Sequence, residues 1–136
     1  MKTTNLFDTF IAVARDCPAD RGTQPRESAT PSIALRTFRM IRDAPYAFTS
    51  DDVIFTVYAD RKEIPPSERD AARRTFFSRG QACLRASELG KRYGWGIHSD
   101  AKGRVALYGV ETPEYDAFAR GEGVVVTHAM RASKAG

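Results

Sequence analysis

The side chains able to act as nucleophile or as acid and base near neutral pH are few: two cysteines, Cys17 and Cys83, and two histidines, His98 and His128. Cys83 lies in QACLRA, two residues before Arg85, and His98 in RYGWGIHSD, which also holds Arg92, Tyr93 and Trp95. A histidine within hydrogen-bond reach of a thiol raises its thiolate fraction, and a neighbouring guanidinium favours the anion further. Cys83 as nucleophile and His98 as its base are therefore the catalytic candidates, with Arg85 beside them. The same neighbourhood suits anion binding. Arg85 and Arg104 can grip a carboxylate or phosphate through paired N–H groups, while Tyr58, Tyr108 and Trp95 offer aromatic surface to the ligand. Each residue also has an ordinary structural use: Cys83 in core packing, His98 as a polar strand residue, Tyr108 as a cross-strand partner.

These residues meet only if the elements carrying them present the same face. Side chains alternate along a strand, so Leu84 turned inward leaves Cys83 and Arg85 together on the opposite face. Trp95 and Ile97 turned inward leave His98 there, and Val105 and Leu107 inward leave Arg104 and Tyr108. Val53, Phe55 and Val57 inward would add Tyr58. A register slip of one residue sends the whole set to the other side.

Other motifs are weaker. Cys17 and Cys83 are too far apart in sequence for a metal-pair spacing, and with two histidines in the chain no metal site and no cofactor is expected. Asp51-Asp52 reads as turn chemistry, and Gly94-Trp95-Gly96 lacks the strand-to-helix setting of a phosphate-binding glycine loop.

Apolar runs fix the elements. Thr9–Ala14 reads as a strand, residues 18–29 as a long loop, and Thr30-Pro31 as the cap and first turn of a helix reaching Asp43. Val53–Ala59, apolar on both faces, reads as a central strand. Ser67 caps a second helix that stops at Gly80, and Gln81–Ala86 follows as a strand. Residues 93–99 and 104–110 form a hairpin. Thr112-Pro113 caps a third helix, residues 124–127 form a last strand, and the tail from Arg131 frays. The expected class is α+β: a mainly antiparallel mixed sheet of five to six strands with two or three helices packed on it.

The chain has 136 residues, 42% of them hydrophobic and 28% charged, which suits a single globular domain. It contains no apolar run of membrane-spanning length, and no small-residue cleavage site follows the N-terminal apolar patch, so a cytoplasmic protein is expected. Basic charge is concentrated: residues 61–104 hold eleven Lys or Arg against five Asp or Glu. That segment, with Tyr93 and Trp95, supports an alternative reading as a nucleic-acid-binding or protein-interaction module. A sheet edge serving as a homodimer surface is a third possibility.

Four segments, TNLFDTFIAVARDCP, TSDDVIFTVYADR, FFSRGQACLRAS and KRYGWGIHSDAKGRVALYG, carry a resemblance. In that order they resemble a bacterial family of small uncharacterised proteins classed as a domain of unknown function. Residues 18–32 and the tail after Met130 follow the pattern less closely. The resemblance implies kinship and a bacterial cytoplasmic setting, and it brings no activity. Function then rests on the residues, and they favour a pocket on the sheet face that binds a small anionic molecule through Arg85, His98 and Tyr108, with or without turnover.

Overall fold

The computed structural model describes residues 1–133. They form an α+β fold on a mixed sheet of four strands: β1 (Thr9–Ala12), β2 (Trp95–Ser99), β3 (Val105–Gly109) and β4 (Val125–His128). The order is β3-β2-β1-β4, with β1 antiparallel to β2 and parallel to β4. Five α-helices are present among the described residues: α1 (Ile33–Asp43), α2 (Ser50–Arg61), α3 (Arg69–Phe76), α4 (Glu88–Lys91) and α5 (Pro113–Ala119). The expectation of five to six strands and two or three helices is thus corrected on both counts.

Two segments account for the difference. VIFTVYA is not a central strand but the body of α2. The reading failed because this helix is covered on several sides. Val53 and Val57 face the sheet with Ile11 and Ile97, while Phe55 and Ala59 pack against Phe77 under α3. A helix that is apolar nearly all round loses the one-sided periodicity that separates helix from strand. The preceding TSDD is its start signal rather than a free turn. Thr49 Oγ1 accepts from Asp52 N–H, and the Asp52 carboxylate accepts from Thr49 N–H, a reciprocal capping box. The second segment, Gln81–Ala86, forms no strand; it runs into a 3-10 turn at Leu84–Ala86.

Helix ends also move. Ser32, not Thr30, caps α1, its hydroxyl accepting from Leu35 N–H. Pro66–Glu68 is a 3-10 turn before α3, so Ser67 makes no cap, and the helix ends at Phe76 well short of Gly80. The hairpin of β2 and β3 and the Thr112 cap of α5 lie where the sequence puts them. At the start of the expected frayed tail, Ala132 and Ser133 N–H groups donate to the Asp16 carboxylate. The rest of the expected tail, residues 134–136, lies outside the described residues.

The sheet divides the molecule. Ile11, Ile97 and Val105 face α1 and α2, whereas Phe10 and Ala12 face α5 through Tyr115 and Phe118. Strands β3 and β4 lie at opposite edges and run the same way, so their connection has to cross the whole sheet. Helix α5 makes that crossing and covers the second face. Gly96 permits it, since a Cβ there would stand 2.3 Å from the Phe10 ring and 2.7 Å from Tyr115.

The residues before β1 are fastened to α2 by a buried carboxylate. Asp51, 3% exposed, accepts from Thr4 N–H at 2.7 Å and from the Thr3 and Thr4 hydroxyls at 2.6 Å each. Asp51 N–H donates in turn to Asn5 Oδ1. Substituting Asp51→Ala strands three donors and is expected to cost about 3 kcal/mol. Asp51→Asn, which keeps one acceptor, should cost less; the midpoints of urea unfolding curves measure both.

Candidate functional site

The structure distributes five of the seven candidate residues among three places and sets Trp95 and Arg104 apart. Cys83 and Tyr58 line a cleft beside α2, together with Ile54, Val57 and Leu84. Val57 and Leu84 belong to the core on the α1 and α2 side of the sheet. His98 lies on the other side, its ring stacked on Phe118 of α5 with centroids 4.2 Å apart and planes 19° apart. The sheet therefore stands between Cys83 and His98. No proton passes directly from one to the other in this arrangement, and the strand geometry that would have joined them is absent because 81–86 is not a strand.

His98 and Tyr108 do come together, through a residue the sequence reading missed. The Tyr46 hydroxyl lies 2.7 Å from His98 Nδ1 and 2.8 Å from the Tyr108 hydroxyl. The chain can be filled in either direction: Tyr108 donating to Tyr46 and Tyr46 to His98, or the reverse from a ring that carries a proton on Nδ1. Either way all three half-buried groups are satisfied. Tyr46 sits in the loop between α1 and α2 with φ +59°, a left-handed conformation that is uncommon for a bulky residue. Its N–H donates to Val105 O, which ties the loop to the edge of β3. Pro45-Tyr46 gave no sequence signal, because the partner residues lie 52 and 62 positions away.

Burial holds the His98 ring below its ordinary pKa, although Asp100 and Asp8 pull the other way. Burial and the Tyr108 hydroxyl push the Tyr46 phenol well above its usual range. Both shifts favour the neutral network near pH 7.

Trp95 and Arg104 stand apart from these groups. The Trp95 indole N–H donates to Thr23 O, its ring covers Gly22, and Phe38 of α1 packs on it at 5.4 Å. This fastens the long segment 13–32, which carries neither helix nor strand, to the end of β2. Gly94, at φ +78°, lets that segment pass: a Cβ there would stand 2.3 Å from Arg21 O. Arg104 closes the hairpin turn, its backbone N–H donating to Asp100 Oδ1.

Arg85 occupies the third place, a groove of about 410 Å³ along the outer edge of β4. Its Nε–H donates to His128 O at 2.8 Å, and its own carbonyl accepts from Met130 N–H. Arg15 and Arg131 line the same groove, and none of the three makes an ion pair with a carboxylate among the described residues. The nearby acid, Asp16, is engaged by Ala132 and Ser133, and the Ala132 N–H in particular holds its carboxyl below the ordinary value. His128 Nδ1 lies 3.0 Å from Val13 O, an acceptor-only group, so Nδ1 is the donor in that bond.

Elsewhere some basic charge is paired. In segment 61–104, Arg69 pairs with Asp60, Arg73 with Asp52 and Arg92 with Glu88. Among the described residues no three His, Cys, Asp or Glu side chains gather to hold a metal ion, and no helix is long and apolar enough to cross a membrane.

Fold and site thus describe an α+β protein whose mixed four-stranded sheet carries an arginine-lined groove on one edge. The chain belongs to the Family of unknown function (DUF6157), whose model matches residues 1–135. No curated protein matches the chain, and no solved structure does.

The lowered His98 pKa has a stability consequence. Unfolded, the ring titrates near pH 6.5; folded, it binds its proton only at lower pH. Between the two values the unfolded chain holds more protons, so the contribution is intact above about pH 6.5 and is lost as pH falls below it. His98→Asn should therefore flatten the decline in melting temperature between pH 7.5 and pH 5.5. A decline as steep in the variant as in the native protein would assign the acid sensitivity elsewhere.

Proposed function

We propose that the protein binds a small anionic molecule, bearing a phosphate or carboxylate group, in the groove along β4. The observation that carries this reading is the set of three guanidinium groups, Arg15, Arg85 and Arg131, that share the groove without a carboxylate partner among the described residues. Like charges that converge without a counter-charge repel one another, and an anion relieves that repulsion. Arg85 is the anchor. Its Nε–H is held by His128 O, which orients the guanidinium plane and leaves both terminal nitrogens for paired bonds to a ligand.

The strand adds donors of its own. Val125 and Ala129 direct their N–H groups to β1, at Asp8 O and Ala12 O. By alternation Val126 and His128 direct theirs outward, along the groove. A ligand there meets backbone N–H groups as well as guanidinium. The second reading is a nucleic-acid interface on segment 61–104, where Arg69, Arg73 and Arg92 are already paired within the chain and the other basic residues are spread over helices, turns and the hairpin. A bacterial cytoplasmic setting accompanies the proposal, on the strength of the four sequence motifs and of two free thiols.

Calorimetric titration at low salt with inorganic phosphate and with citrate tests the site. Native protein should bind at least one of them, and Arg85→Gln should weaken that binding about tenfold or more, as expected for loss of a charge-assisted pair of hydrogen bonds. Binding that Arg85→Gln and Arg15→Gln both leave unchanged would overturn the proposal, as would no binding at all.

A further inference from the structure

A second cavity, on the opposite side of the molecule's chemistry, is apolar. The cleft bounded by α1, α2, the end of α3 and residues 82–87 has a volume of about 240 Å³. Ile33, Ile54, Tyr58, Phe76 and Leu84 form its walls, and Cys83 contributes the thiol. Two of these side chains are left open to solvent although they are large and apolar: Ile33 is 54% exposed and Tyr58 is 36% exposed. Tyr58 packs one side of its ring on Phe76, with centroids 4.5 Å apart, and leaves the rest open.

The one charged residue in the lining is Arg61, at the last position of α2. Its environment differs from that of Arg69 and Arg73. The two acids of α2 closest to α3, Asp52 and Asp60, are taken by Arg73 and Arg69. No carboxylate lines the cleft, and Arg61 makes no ion pair among the described residues. An apolar hollow with one uncompensated cation on its wall is complementary to a molecule with an apolar body and a single negative end.

We infer that this cleft is a second binding site, independent of the groove on β4, for a monocarboxylate with a short aliphatic or aryl body. Its body lies between Ile54, Tyr58 and Phe76, and its carboxylate meets Arg61. The size fits. Apolar cavities of about 150 Å³ hold benzene, so this larger one takes an aromatic ring with a short arm or a chain of about eight carbons. Drug-sized ligands need more room than the cleft has. The Cys83 thiol lies in the lining and is covered when the site is filled.

Octanoate is the probe, with octan-1-ol as its uncharged counterpart and inorganic phosphate as a control for the other groove. Alkylation of each thiol by a maleimide, followed peptide by peptide in a mass spectrometer, gives the readout; Cys17, which is not in the lining, is the internal reference. Octanoate should slow alkylation of Cys83 in a saturable manner and leave Cys17 unchanged, and phosphate should protect neither. Arg61→Gln, at an exposed position, should weaken octanoate about tenfold while octanol is unaffected, the loss of one charge-assisted contact. Ile54→Trp should fill the cleft and abolish protection by both. The inference fails if octanoate gives no selective protection of Cys83, or if Arg61→Gln leaves its affinity unchanged. It also fails if octanoate binding disappears in Arg85→Gln, because the carboxylate would then sit in the β4 groove.

Discussion

The Asp51 carboxylate is the point on which the two halves of the fold are joined. Buried and without a cation, it is satisfied by Thr3 and Thr4 instead. Hydrogen bonds to a charged acceptor are shorter and stronger than neutral ones, and a buried carboxylate deprived of them would be very costly. The residues leading into β1 are therefore not free to choose their position. They meet the first turn of α2, where the N–H groups of the helix end add favourable potential. With that junction made, β1 enters the sheet at a fixed height. In the sheet Phe10 stands beside His98 and Ile11 beside Ile97.

That register decides what chemistry is within reach. Adjacent residues of a strand face opposite ways, so Ile97 and His98 cannot both look toward α2. The core claims Ile97, and His98 is left to the α5 side with Tyr46, Tyr108 and Phe118. Each face thereby acquires a separate character. One carries a neutral hydrogen-bonded network, the other an apolar cleft with a thiol, and the edge between them gathers arginines. The Tyr46–His98–Tyr108 network draws its backbone strain and its hydrogen bonds from three different segments, so it also holds the α1–α2 loop against β3.

The sequence was informative where the signal is local. The hairpin, β1, the last strand and the Thr112 cap of α5 all show in patterns a few residues long. It misled where burial erased the pattern. Helix α2 packs against the sheet, α3 and the cleft together, so VIFTVYA offers β-branched residues on every side and no polar stripe. Thr49-x-x-Asp52 in front of it was the discriminating sign, a capping box spelled with aspartate. The supposed strand at 81–86 failed differently: six residues of mixed character fit an extended connection as well as a strand. Because two of the elements were misassigned, the face on which Cys83, Arg85 and His98 were expected to meet does not exist. Arg85 kept its interest for another reason. Its tie to His128 O and its neighbours Arg15 and Arg131 come from opposite ends of the chain, and no window of sequence contains them.

The position of β1 in the sheet has a kinetic side. It is the first strand in the sequence and an interior one, yet both its hydrogen-bonding neighbours come from residue 95 onward. Loop closure over such separations is entropically expensive, and chains dominated by distant pairings fold slowly. As the chain leaves the ribosome, TFIA waits with both edges bare while four helices are made after it. Those helices can collapse around it, but its backbone groups have no partners until the hairpin and β4 arrive. The apolar strand that anchors the finished sheet is thus exposed to aggregation during synthesis.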